Sequence, residues 1–63
     1  MNNIWVTDAT TGGQVFINTS YITAVFEAKE GAPEGAVAIV GLTNGIIAVT
    51  ESVDRVVELI RGA

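Results

Sequence analysis

Apolar and polar residues follow a two-residue period over most of this chain and switch to a helical period only at its end. Runs rich in β-branched and aromatic side chains cover 3–8 and 14–18, and Thr10-Thr11-Gly12-Gly13 between them supplies the small residues a hairpin loop needs. Asn18-Thr19-Ser20 punctuates the chain before a third β-prone run, 21–28. Gly31-Ala32-Pro33-Glu34-Gly35 combines the two strongest breakers with an acidic residue and predicts an exposed, mobile connection between strands rather than domains. Beyond it, strands at 36–43 and 46–50 flank Asn44-Gly45, a pair suited to a type I′ turn because both of its central residues need positive φ.

Between 52 and 61 the pattern becomes helical. Val53, Val56, Val57 and Ile60 fall at i, i+3, i+4 and i+7 and share one face, with Arg55, Glu58 and Arg61 towards the other. Ser52 suits the N-cap with Asp54 near the positive helix end, and Arg61 and Gly62 suit the C-terminal end. The predicted fold is a single α+β domain, a small antiparallel β-meander of about five strands closed by a C-terminal amphipathic helix.

A two-residue Asn44-Gly45 loop would set Thr43 opposite Ile46, Leu42 opposite Ile47, Gly41 opposite Ala48 and Val40 opposite Val49. Alternation then gives one face with Val40, Leu42, Ile47 and Val49 and another with Ile39, Gly41, Ile46 and Ala48. Both faces are apolar, whereas one short helix covers only one of them. The bulkier set is expected to meet the helix, leaving Ile39, Gly41, Ile46 and Ala48 for another chain. The reverse orientation stays open, as does a sheet that curls into a barrel and buries both sets.

Two aromatic residues add to this surface. Trp5 suits either a core anchor or an interface contact. Phe16 has the opposite strand parity from Val15 and Ile17, so its ring is either covered by the fold or offered to a partner.

Composition narrows the function. A chain of 63 residues holds one hydrophobic core and buries only about 60% of its unfolded surface. Small domains of this kind lean on disulfides, metals or self-association, and there is no Cys or His to supply the first two. A homo-oligomer is therefore expected, with another protein as a possible partner. The net charge of −4, with Lys29, Arg55 and Arg61 as the cations, argues against nucleic acid. The start, Met1-Asn2-Asn3-Ile4-Trp5, has no basic segment followed by a long apolar run, and the longest apolar stretch, near Ala36 to Leu42, is too short for a membrane span. A cytoplasmic location without membrane insertion is expected. The Asn18-Thr19-Ser20 sequon reads as an ordinary turn.

Catalysis is not expected and no cofactor or catalytic residue is assigned, because the usual base, thiolate and soft metal ligands are missing. Glu27, Glu30 and Glu34, with Asp8, read as solvated charge around the Pro-Gly loop. Glu51, Asp54 and Glu58 are explained by the helix end, with Asp54 and Glu58 mildly repelling at i, i+4. Gly12-Gly13 lacks the following helix and lysine of a phosphate loop. The reading is a self-associating protein-interaction module; its alternative is an oligomer that holds a small molecule or nucleotide between subunits.

Ile4-x-Val6-Thr7, Gly13-x-Val15-Phe16-Ile17-Asn18, Ile22, Leu42-Thr43-Asn44-Gly45 and Glu51-Ser52-Val53-x-x-Val56-Val57 together resemble the small FlbD-like flagellar and swarming motility proteins. The resemblance spans nearly the whole chain and implies a cytoplasmic, non-enzymatic accessory role exercised through protein contacts. The chain departs from that pattern in carrying Trp5, Ile46 and Ile47 where the family tends to place lysines, and in inserting Gly31 to Gly35. Sticky side chains thus stand at solvated positions, which points to a different partner or a self-assembled ring.

Overall fold

The computed structural model describes residues 2–63. The chain forms β1 (Asn3–Thr7), β2 (Gln14–Asn18), a single 3-10 turn (Thr19–Tyr21), β3 (Ile22–Glu27), β4 (Ala38–Leu42), β5 (Gly45–Val49) and α1 (Val53–Gly62). This is the expected α+β arrangement of five strands in hairpins and a terminal helix. The meander divides into an antiparallel β1-β2 pair and an antiparallel β3-β4-β5 sheet. The division falls at the Asn18 turn, where Ser20 donates through its N–H and its hydroxyl to Asn18 Oδ1 at 3.0 and 2.8 Å. That cap bends the backbone out of the β2 direction before β3 begins.

The two sheets meet at one corner, where the end of β1 runs against the end of β5. Asp8 bridges Val49, Ala9 N–H donates to Ala48 C=O at 2.8 Å, and Thr50 N–H donates to Thr7 C=O at 3.0 Å. Glu51 completes the corner. Thr7 N–H donates to both of its carboxylate oxygens at 2.9 and 3.0 Å, and Thr7 Oγ1 donates to one of them at 2.9 Å. The sheet curls around Ile4, Val6, Ile17, Ala38, Val40 and Val49, with Val56 of α1 against them.

The β4-β5 register differs from the expected one. Leu42 stands opposite Gly45, Gly41 opposite Ile46, Val40 opposite Ile47 and Ile39 opposite Ala48. A type I′ turn needs positive φ at Asn44, but among the described residues only glycines have positive φ. The turn therefore centres on Thr43 and Asn44, and Gly45, with φ 157°, becomes the first residue of β5. Each partner moves by two positions, so strand parity is kept. Val40, Leu42, Ile47 and Val49 still share the face that meets the helix.

In β3, Ile22 and Val25 both pack on the core although simple alternation would send them to opposite sides. A β-bulge between Ile22 and Ala24 absorbs the extra residue and turns both inward. Gly41 lies across from this bulge, where an added Cβ would meet Thr23 Oγ1 at 3.2 Å and Ala24 C=O at 3.5 Å. Gly41→Val is expected to lower stability by about 1–2 kcal/mol, at the low end of overpacking costs because the exposed Thr23 side chain can yield. Urea denaturation reads this as a lower midpoint.

Ser52 caps α1 as expected, its Oγ accepting from Arg55 N–H at 3.1 Å. Val56 is fully buried, Val53, Leu59 and Ile60 pack against the core, and Val57 is half-buried at the flank. The face that docks is thus rotated towards Leu59. Glu58 pairs with Arg55 at 2.7 Å on the exposed side, which offsets its repulsion from Asp54.

Candidate interaction surface

Trp5 and Phe16 are direct partners across β1 and β2, and both point away from the core. Thr19 N–H donates to Asn2 C=O and Asp8 N–H to Gly13 C=O. By alternation, the odd residues of β2 turn their backbone groups towards β1, and Trp5–Phe16 occupies a non-hydrogen-bonded position, where opposed side chains come closest. The ring centroids are 4.7 Å apart with planes tilted by 39°. Trp5 is 56% exposed and Phe16 55%. Trp5 is therefore no core anchor, and the two rings pack on each other while each stays more than half exposed. Asn3, Thr7, Gln14 and Asn18 share their face by strand parity and frame the pair with amides and hydroxyls.

The second apolar face lies on the outside of β3-β4-β5. Cross-strand rows place Ala24, Gly41 and Ile46 together, and Phe26, Ile39 and Ala48 together, with no polar side chain in either row. The structure divides the four residues expected there. Ile46 is 70% exposed and Ala48 half-buried, but Ile39 is only 7% exposed and Gly41 is buried. Gly41 is closed over by the bulge at Thr23 and Ala24. Ile39 sits between Phe26 and Ala48, in a shallow depression that Ala32 and Pro33 also border. The 28–37 connection forms two successive turns, with Ala32 N–H donating to Lys29 C=O and Ala36 N–H to Pro33 C=O. It borders that depression while most of its own residues remain exposed. Ile39 and Gly41 are thus removed from the exposed surface by the chain itself.

Phe26 and Val37 are exposed apolar side chains that the sequence pattern did not single out, and Tyr21, which its place beside a turn marks as a rim or core-edge residue, is exposed. Phe26 would have been placed on the outer face by pairing β3 with β4, but the bulge breaks the alternation that signals it. An open hollow of about 610 Å³ lies between β1 and the end of α1, bordered by Trp5, Gln14, Glu51, Arg55 and Glu58.

The acidic residues are dispersed. Asp8 Oδ1 accepts from Thr10 N–H at 2.7 Å in the first hairpin loop, Glu51 serves the corner and Glu58 pairs with Arg55. Among the described residues no group of three or more His, Cys, Asp or Glu converges as a metal site. No helix among them is long and apolar enough to cross a membrane. The chain matches no family model, no curated protein and no solved structure.

Proposed function

We propose that this chain is a non-enzymatic, cytoplasmic protein-interaction module that self-associates through the apolar side chains it leaves outside its core. The exposed Trp5–Phe16 pair carries the reading. Two aromatic rings more than half exposed and packed on each other are a feature enriched at protein contacts, and Tyr21, Phe26 and Ile46 are further exposed apolar side chains on this 63-residue domain. The expected result of size-exclusion chromatography with light scattering at micromolar concentration is a mass that is a multiple of 6.6 kDa. A strict monomer would remove the self-association half of the proposal.

The resemblance to FlbD-like proteins supports an accessory role in flagellar function or swarming. Deletion of the gene is then expected to impair motility without abolishing growth, and unaltered swarming would count against it. A small-molecule reading is favoured by the hollow beside Trp5, which an oligomer could close into a ligand site between subunits. It requires that Trp5 fluorescence shift on titration with a metabolite or nucleotide panel.

A further inference from the structure

Sheet edges are the places where a β protein invites or refuses a partner, and four edges must be considered. The outer edge of β5 is occupied from Ala48 to Thr50 by the end of β1. The second edge of β1 is capped at Thr7 by Glu51 and Thr50, and the hollow beside it is bordered by Glu51, Arg55 and Glu58. The edge of β3 is kinked by the bulge at Thr23 and ends in Glu27, with Lys29 and Glu30 just beyond. These are the devices by which natural sheets refuse edge pairing.

β2 has none of them. Its odd residues bond to β1, so the backbone groups of Gln14 and Phe16 and the N–H of Asn18 point outward, with no partner among the described residues. The strand carries no bulge, proline, glycine or charge. The neutrality extends further, since no residue from Ala9 to Phe26 is charged in a chain of net charge −4. Two anionic copies meeting elsewhere would bring like charges together, whereas along β2 they meet without that penalty. Beside the edge runs an open, largely apolar hollow of about 350 Å³, lined by Val15, Phe16, Ile17, Tyr21 and Leu42 and rimmed by three asparagines.

We propose that the partner on this edge is a second copy of the chain, paired antiparallel along β2 about a two-fold axis at Phe16. This rests on the self-association reading above and specifies its geometry. Phe16 of each copy lies opposite its counterpart and exchanges both backbone hydrogen bonds with it, while Gln14 faces Asn18 of the other copy. The two β1-β2 pairs become one continuous sheet. On its outer side the Trp5–Phe16 pairs of both copies form one aromatic row; on its inner side the half-buried Val15 of each copy meets the hollow of the other, while Ile17 stays in its own core. A stable dimer buries about 800 Å² per partner, roughly a fifth of the 4083 Å² surface of this chain. The hollow with Tyr21 and the aromatic row contribute area that the strand edge alone does not supply.

Residue-resolved amide hydrogen exchange of the unmodified protein, dilute and concentrated, tests this directly. The Phe16 amide points to solvent in the monomer and is expected to exchange about tenfold slower or more when concentrated, with protection lost on dilution. Phe16→Pro and Gln14→Pro remove outward N–H groups that no intrachain bond uses, a change edge strands tolerate. Both are expected to leave folded monomers by circular dichroism and light scattering, while Ile46→Lys remains dimeric. An oligomer whose Phe16 amide stays unprotected, or one that Ile46→Lys dissociates, overturns the β2 edge while leaving self-association standing. A monomer at every concentration overturns both. The exchange measurement decides the matter even if a proline variant does not fold.

Discussion

Glu51→Ala is expected to destabilise the fold by about 2–3 kcal/mol, because one side chain holds the corner at which the two sheets join. Thr7 belongs to β1, yet its N–H points away from β2 and is satisfied only by the Glu51 carboxylate, which also accepts from Thr7 Oγ1. Hydrogen bonds to a charged group are worth about 1.5–3 kcal/mol, and a donor left unsatisfied at a part-buried site adds its desolvation cost. For a domain of this length, total stability is about 3–9 kcal/mol, so the loss is large. Thr7→Val removes only the hydroxyl bond and keeps the two backbone bonds, so its effect is expected to be less than half as large. Urea denaturation of both single variants and the double variant separates the two contributions. A Glu51→Ala midpoint equal to that of the parent would show that the corner is held by the Ala9–Ala48 and Thr50–Thr7 backbone bonds alone.

Val56→Ala is expected to cost a further class of stability, about 2–3 kcal/mol. α1 has ten residues, below the roughly 12–15 at which an isolated helix becomes marginally stable, so its structure depends on docking. Val56 is its only fully buried side chain and closes the core over Ile4, Val6, Val40 and Val49. A cavity there loosens both sheets at once. Val57→Ala removes the same atoms from a half-buried flank and is expected to cost under about 1 kcal/mol. Thermal unfolding distinguishes them, since 1 kcal/mol moves the midpoint by about 4–8 °C in a domain of this size. Equal shifts for the two variants would contradict the helix orientation described above.

The contrast between Val56 and Val57 shows where sequence patterning stops. Both fit the same heptad-like face, and period alone ranks them equally; only the position of α1 between β1 and β3 turns Val56 inward and brings in Leu59. Phe16 and Trp5 illustrate the same point in strands. Parity put Phe16 opposite to Val15 and Ile17, but whether its ring was covered depended on how far the sheet curls. Curling stops at one corner, and the ring stays exposed.

Local chemistry was sufficient for the elements themselves. Alternation, the Thr-Thr-Gly-Gly and Asn-Gly breaks, the Asn18 turn and the Ser52 cap are short-range interactions among neighbours, and they determined five strands, a helix and two apolar sheet faces. Three features required the tertiary structure. The hairpin register moved by two because Asn44 keeps negative φ. The bulge at Thr23 turned Ile22 and Val25 to one side and closed over Gly41. Glu51 reached Thr7 across 44 positions. The first is a backbone conformation of one turn residue and the other two depend on residues distant in sequence meeting in space, none of which periodicity encodes. The same three-dimensional assembly buried Ile39 and Gly41 and left β2 as the open edge.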